Sequence, residues 1–187
     1  MKKLLTALIF TLATAVWAGD FEDGVAASDK GDYKAAFSFY KKAAEQGSSA
    51  AQFNVGLLYS NGEGVLQDYA EAVRWYKLAA EQGDSDAQYS LGVMYRNGEG
   101  VLQDYAEAVR LYKLAAAQGE ASAQYNLGVM YGNGKGVLQD YLLAHMWMNL
   151  AALSGSKDAQ KARGFFAKKM TSQQIAKAQE MAKKCLA

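Results

Sequence analysis

Asn97-Gly98-Glu99-Gly100-Val101 repeats Asn61-Gly62-Glu63-Gly64-Val65 from 36 residues earlier, and it returns 36 residues later as Asn133-Gly134-Lys135-Gly136-Val137. Self-similarity at a fixed period of this size is the signature of a chain of stacked units, each burying its apolar face against its neighbours. Such a chain presents a surface to a partner rather than a catalytic cleft. Residues 61–83 and 97–119 differ only at Trp75/Leu111 and Glu81/Ala117.

Each unit reads as two helices. In the first, Ala87, Leu91, Met94 and Tyr95 fall on one helical face, as do Ala51, Val55, Leu58 and Tyr59, then Ala123, Leu127, Met130 and Tyr131. A glycine sits inside each of these helices, at 56, 92 and 128. Mid-helix glycine costs about 1 kcal/mol against alanine, so its return points to a crossing helix that leaves no room for a Cβ. The glycine loop closes the first helix and lets the chain reverse, and Val65, Val101 or Val137 drops back onto the core. The second helix starts at Asp68, Asp104 or Asp140. Asp68-x-x-Glu71 and Asp104-x-x-Glu107 are capping-box patterns, whereas Asp140 has Leu143 at the third position. Alanines at 72, 79 and 80 permit close packing, and Tyr76 fills the wider gap.

The ends deviate, as terminal units do. Gly24 stands 8 residues before Asp32, against 12 from Gly56 to Asp68, so the first hairpin has lost four loop residues. At the other end a helix is expected over Lys157–Met170. Thr171-x-x-Gln174 then offers a capping box for a last helix to about Cys185. The chain has no proline, so glycine supplies the punctuation.

Met1-Lys2-Lys3, an uncharged run from Leu4 to Val16, and Val16-Trp17-Ala18 have the form of a secretory signal peptide cut after Ala18. The apolar run is too short to span a bilayer, which takes about 20 residues. Removing residues 1–18 takes away Lys2 and Lys3 and leaves 18 Lys+Arg against 19 Asp+Glu. A near-neutral chain lacks the basic stripe that nucleic acid needs. The mature chain has no later apolar run of membrane-spanning length. The expected product is a periplasmic or secreted monomer. Cys185 is the single cysteine, so no internal disulfide forms; an intermolecular bridge and a free thiol both remain open.

The pattern Ala-Gln-x-x-x-Gly-x-x-Tyr-x-x-Gly-x-Gly-Val-x-x-Asp-Tyr-x-x-Ala, followed by Tyr-Lys-x-Ala-Ala-x-Gln-Gly, resembles the Sel1-like repeat, a relative of the tetratricopeptide repeat. The resemblance implies an all-α fold, a right-handed α-solenoid of antiparallel helix pairs. The organisation expected is a signal peptide at 1–18, a tetratricopeptide-like hairpin at 19–47, repeats at 48–83, 84–119 and 120–155, and C-terminal capping helices at 156–187. It also implies a non-enzymatic scaffold or adaptor for a protein or peptide partner, with immunity and host-interaction factors among exported bacterial members. A cysteine-rich branch is described as penicillin-binding or β-lactamase-like. This chain lacks that branch's paired cysteines, which leaves a cell-wall binder or β-lactam-hydrolase-like enzyme as the alternative function.

The residues themselves carry little chemistry. One histidine, His145, and one cysteine cannot furnish a zinc site unaided, and His145 sits in a Trp/Met packing sequence. The glycine loops lack the Gly-Lys-Ser/Thr ending of phosphate loops and the oxygen ligands of calcium loops. No catalytic residue, metal or cofactor is expected. The partner site is placed instead on the concave face of the first helices, at Phe53, Leu57, Ser60, Asp86, Tyr89, Val93, Arg96, Tyr125 and Val129. The rings Phe53, Tyr89 and Tyr125 supply either interface energy or packing on the neighbouring helix. Arg96 stands out because Ser60 and Gly132 take its place in the other copies. Gln52, Gln88 and Gln124, and Asn54, Ser90 and Asn126, either face a peptide backbone or tie one repeat to the next.

Overall fold

A computed structural model of the chain describes residues 19–185, so the signal-peptide reading lies outside the described residues. Every element among them is helical: α1 at 19–29, α2 (Tyr33–Glu45), α3 (Ser49–Asn61), α4 (Tyr69–Glu81), α5 (Ser85–Asn97), α6 (Tyr105–Ala117), α7 (Ala121–Asn133), α8 (Tyr141–Leu153), α9 (Lys157–Ala167) and α10 (Ser172–Lys184). The fold is the expected all-α class, a solenoid of repeated helix pairs. Two compact units divide the chain after residue 87. The first holds α1 to α4 and the start of α5; the second holds the rest.

The helix starts follow from side-chain capping. The Asp68 carboxylate accepts from the Ala70 and Glu71 amides, at 2.9 and 3.0 Å. Asp104 and Asp140 repeat the arrangement. The reciprocal half of the expected capping box is missing at 68 and 104. The Asp68 amide donates to the Tyr59 carbonyl at 3.0 Å, and the Asp104 amide donates to that of Tyr95 at 2.9 Å. The donor that a returning glutamate would satisfy is thus already bonded. Glu71 and Glu107 instead pair with Arg74 and Arg110. The same backbone bond joins Asp140 to Tyr131, which is why Leu143 can stand third in that copy. The box at Thr171–Gln174 forms in full. Helix α9 ends at Ala167, one turn before the Met170 expected.

The core of the first unit gathers Tyr40, Val55, Leu58 and Trp75 around Ala36, Ala43, Ala44 and Ala51. In the second unit Tyr112, Leu127 and Met130 pack around Ala108, Ala115 and Ala123. The alanines are fully buried and let the helices approach. Burying each larger apolar side chain contributes about 1.5–3 kcal/mol. The mid-helix glycines mark the crossing, but a side chain fills the space. A Cβ on Gly56 would lie 2.7 Å from the Tyr76 ring, and one on Gly92 2.7 Å from that of Tyr112. In both copies the Cδ1–Cε1 edge of the tyrosine ring fills the space beside the bare backbone.

The buried glutamines tie repeats together. Gln52 Nε2 donates to the Ala44 carbonyl at 3.2 Å, and its Oε1 accepts from Gln82 Nε2 at 2.7 Å. In the second unit Gln118 Nε2 donates to Gln88 Oε1 at 2.9 Å. Gln124 Nε2 donates to the Ala116 carbonyl, but its Oε1 has no partner. The residue equivalent to Gln82 and Gln118 is Ser154, which is too short to reach.

His145 is 2% exposed, and its Nδ1 is unpartnered. Burial, aided by the positive charge of Arg163, holds its pKa below the ordinary value. The folded chain therefore favours neutral histidine. Stability from this group is complete above the unfolded pKa of about 6.5 and is lost as pH falls below it. Urea midpoints measured from pH 7.5 to 5 are expected to fall less for His145→Gln than for the parent. Parallel curves would exclude His145 as a source of acid lability.

Candidate functional site

The nine residues expected to form the partner site fall into both units. Phe53, Leu57, Ser60 and Asp86 belong to the first; Tyr89, Val93, Arg96, Tyr125 and Val129 belong to the second. The aromatic residues are half-buried. The Phe53 ring packs against Tyr76 with centroids 5.7 Å apart, and Tyr89 against Tyr112 at 5.9 Å. Each ring therefore rests on the second helix of its own repeat, and part of its surface goes to the core. Val93 and Val129 likewise back onto core clusters. Leu57 is 36% exposed. The Ser60 carbonyl accepts from Gln67 Nε2 at 2.7 Å, a loop-bracing bond repeated by Gln103 to Arg96 and Gln139 to Gly132.

In the second unit the structure brings the expected residues together in two depressions. Tyr89 and Tyr125 open onto one of about 350 Å³ whose polar rim includes Ser122, Asn126, Ser156 and Asp158. Arg96 and Val129 open onto another of about 510 Å³, shared with Asn97, Gln103, Tyr105 and Lys135. Arg96 is half-buried. Its Nε donates to Asn97 Oδ1 at 3.2 Å and its Nη1 to Asn126 Oδ1 at 3.3 Å. These acceptors are neutral, so they orient the guanidinium without cancelling its charge. Below it, burial pushes the Tyr112 phenol up to about 12, with the nearby Arg96 charge pulling the other way.

Gly132 answers to packing rather than to a partner. The Phe166 ring of α9 lies against its Cα, where a Cβ would collide. Lys135 is the lining residue that sequence reasoning passed over. Its signal in the sequence is the exchange itself, since Glu63 and Glu99 stand at the equivalent loop positions, but a turn read within one copy gives no sign of the depression beside it. Leu66, Leu102 and Leu138 were also passed over; each is about nine-tenths exposed. Among the described residues no group of three or more His, Cys, Asp or Glu side chains could hold a metal ion. No helix there is long and apolar enough to cross a membrane.

The Sel1 repeat pattern matches residues 19–48, 49–84, 85–120 and 121–156. One similar solved structure is a protective antigen present in uropathogenic Escherichia coli strains and displaying an SLR fold. It is 41% identical at a TM-score of 0.75, over 83% of this chain and 34% of that one. A Sel1 repeat protein from Oxalobacter formigenes is 35% identical at a TM-score of 0.73, over 84% and 67%. Helicobacter pylori cysteine rich protein B is 27% identical at a TM-score of 0.56, over 70% and 93%. A 38-residue stretch is 55% identical to DAP3-binding cell death enhancer 1 of Rattus norvegicus, covering 20% of this chain and 8% of that relative. The match thus spans a small part of that curated relative, and about a third of the Escherichia coli antigen.

Proposed function

The chain belongs to the Sel1 repeat family, and on that premise we propose that it is an exported scaffold that binds a protein or peptide partner through the inner face of its first helices. Sel1 repeats generally mediate protein–protein interaction. The observation that carries the reading is the pair of depressions in the second unit. Each is lined in part by half-buried side chains of α5 and α7 that pack on the core with one side and stay open on the other. Half-exposed tyrosines backed by a rigid core are efficient anchors, because little conformational freedom is lost on contact. The charge and apolar pattern of residues 1–18 supports export. Likeness to a protective antigen of uropathogenic strains supports a host-facing role.

The test is capture from the native envelope followed by a binding titration with the captured protein. Tyr89→Ser together with Tyr125→Ser is expected to weaken that binding at least about tenfold, equal to 1.4 kcal/mol, while the helical circular-dichroism signal persists. Unchanged affinity would remove the inner face from consideration. A glycan-binding reading has one specific support, since Tyr89 and Tyr125 open onto a polar depression and sugars stack on such rings. Sedimentation with purified sacculi, abolished by the same two substitutions, would favour it over a protein partner.

A further inference from the structure

Two residues that break the repeat, one in the second copy and one in the third, meet at one depression. Arg96 replaces the Ser60 and Gly132 of the other copies, and Lys135 replaces Glu63 and Glu99. Both changes bring in a cation, and both side chains line the same 510 Å³ depression in the second unit. No carboxylate is among its lining residues. The nearby Glu99 carboxylate accepts from Asn97 Nδ2 at 3.0 Å and belongs to the loop.

The two cations differ from the other arginines of the repeat. Arg74 and Arg110 pair with Glu71 and Glu107 at 2.9 and 2.6 Å. Arg96 has only the amide oxygens of Asn97 and Asn126. The Lys135 ammonium stands over the Tyr105 ring, 5.3 Å from its centroid. Its loop is held there because Gly136 lies directly against the Tyr105 carbonyl. The exchange at 135 also frees an amide. Asn61 and Asn97 donate to Glu63 and Glu99, whereas Asn133 faces a lysine in that position. Neither cation has a carboxylate partner: Arg96 rests on amide oxygens and Lys135 on an aromatic ring. Val129, Met130 and Tyr105 supply an apolar floor beside them.

We infer that this depression is an acidic-residue subsite: it receives a Glu or Asp side chain, flanked by an apolar residue, from a segment of the partner protein. The inference rests on the proposed inner-face reading and names its chemistry. The carboxylate bridges Arg96 and Lys135, the neighbouring apolar side chain lies on Val129 and Tyr105, and the Asn133 amide is left to donate to the segment's backbone. Half-burial of Arg96 strengthens the pairing, since a charge pair near a protein surface interacts about fourfold more strongly than in bulk water.

The probe is acetyl-Leu-Glu-Phe-amide, titrated into the isotopically labelled full chain and followed by NMR. Its neutral counterpart acetyl-Leu-Gln-Phe-amide and inorganic phosphate form the other arms. The glutamate peptide is expected to shift the Arg96 Nε–H signal and the amides of Asn133–Gly136 at low millimolar concentration, and the glutamine peptide to leave them in place. Lys135→Glu and Arg96→Ser should each weaken the effect at least about tenfold. Lys135 is exposed and Arg96 half-buried, and each new side chain is smaller than the one it replaces, so the fold accommodates both variants. Equal shifts from both peptides, or shifts from phosphate alone, would overturn the subsite. The captured partner separates the two levels of the argument. Binding lost in Tyr89→Ser/Tyr125→Ser but kept in Lys135→Glu and Arg96→Ser removes the subsite and keeps the inner face. Binding kept in all of them removes both.

Discussion

Gly136→Ala is expected to lower stability by about 3 kcal/mol or more, read as a drop in the urea midpoint with the slope unchanged. Two costs add at this position. Its φ is +69°, and a left-handed conformation costs a residue with a Cβ about 1–2 kcal/mol. The new methyl would also drive into the carbonyl of Tyr105 and the amide of Ala106 in the first turn of α6. Overpacking costs about 1–3 kcal/mol where neighbours can yield, and helix backbone yields less than a side chain. Gly119 separates the terms, because its φ is +93° and nothing lies within 4 Å of its Cβ direction. Gly119→Ala should therefore show the conformational cost alone, about 1–2 kcal/mol. Equal losses at the two sites would mean that the loop does not press on α6. Gly64 meets the Tyr33 carbonyl in the first unit in the same way, so the loop is a seam between repeats as well as a turn.

That seam shows where sequence reasoning reached and where it stopped. The 36-residue period, the helix pairs and the Asp caps are local patterns, and each was legible in consecutive residues. The glutamate half of the box at Asp68 was not, because its competitor is a bond from the Asp68 amide to the Tyr59 carbonyl. That bond exists only once the loop has closed. The convergence of Arg96 with Lys135 was hidden for a related reason. The two residues are unremarkable within their own copies, and only stacking α5 beside α7 brings residue 96 to the loop at 135. Single-copy periodicity cannot report contacts made between copies. What points there is failure to recur, at Ser60/Arg96/Gly132 and at Glu63/Glu99/Lys135, two positions that only the stacked repeats bring to one depression.

Failure to recur has two causes, however, and Gly132 isolates the second. Gly132→Ser, which restores the residue of the first copy, is expected to cost about 2–3 kcal/mol in the urea midpoint. In open space the sign would be the reverse, since glycine inside a helix is the poorer choice by about 0.5–1 kcal/mol. Gly164 on α9 provides that reference: nothing lies within 4 Å of its Cβ direction, so Gly164→Ala should stabilise by up to about 1 kcal/mol. At Gly132 the Phe166 ring occupies the space. That ring is 6% exposed and stacks on Tyr141 at 6.0 Å, so Phe166→Ala alone should cost about 3–5 kcal/mol. The double variant decides the matter. If the ring is what excludes the serine, Gly132→Ser should cost almost nothing once Phe166 is alanine, leaving a coupling of about 2 kcal/mol between the sites. Additive losses would mean that Gly132 answers to something other than Phe166. The coupling assigns Gly132 to the closure of the last repeat by α9. Arg96 then remains as a departure from the repeat that the contact with Phe166 does not explain.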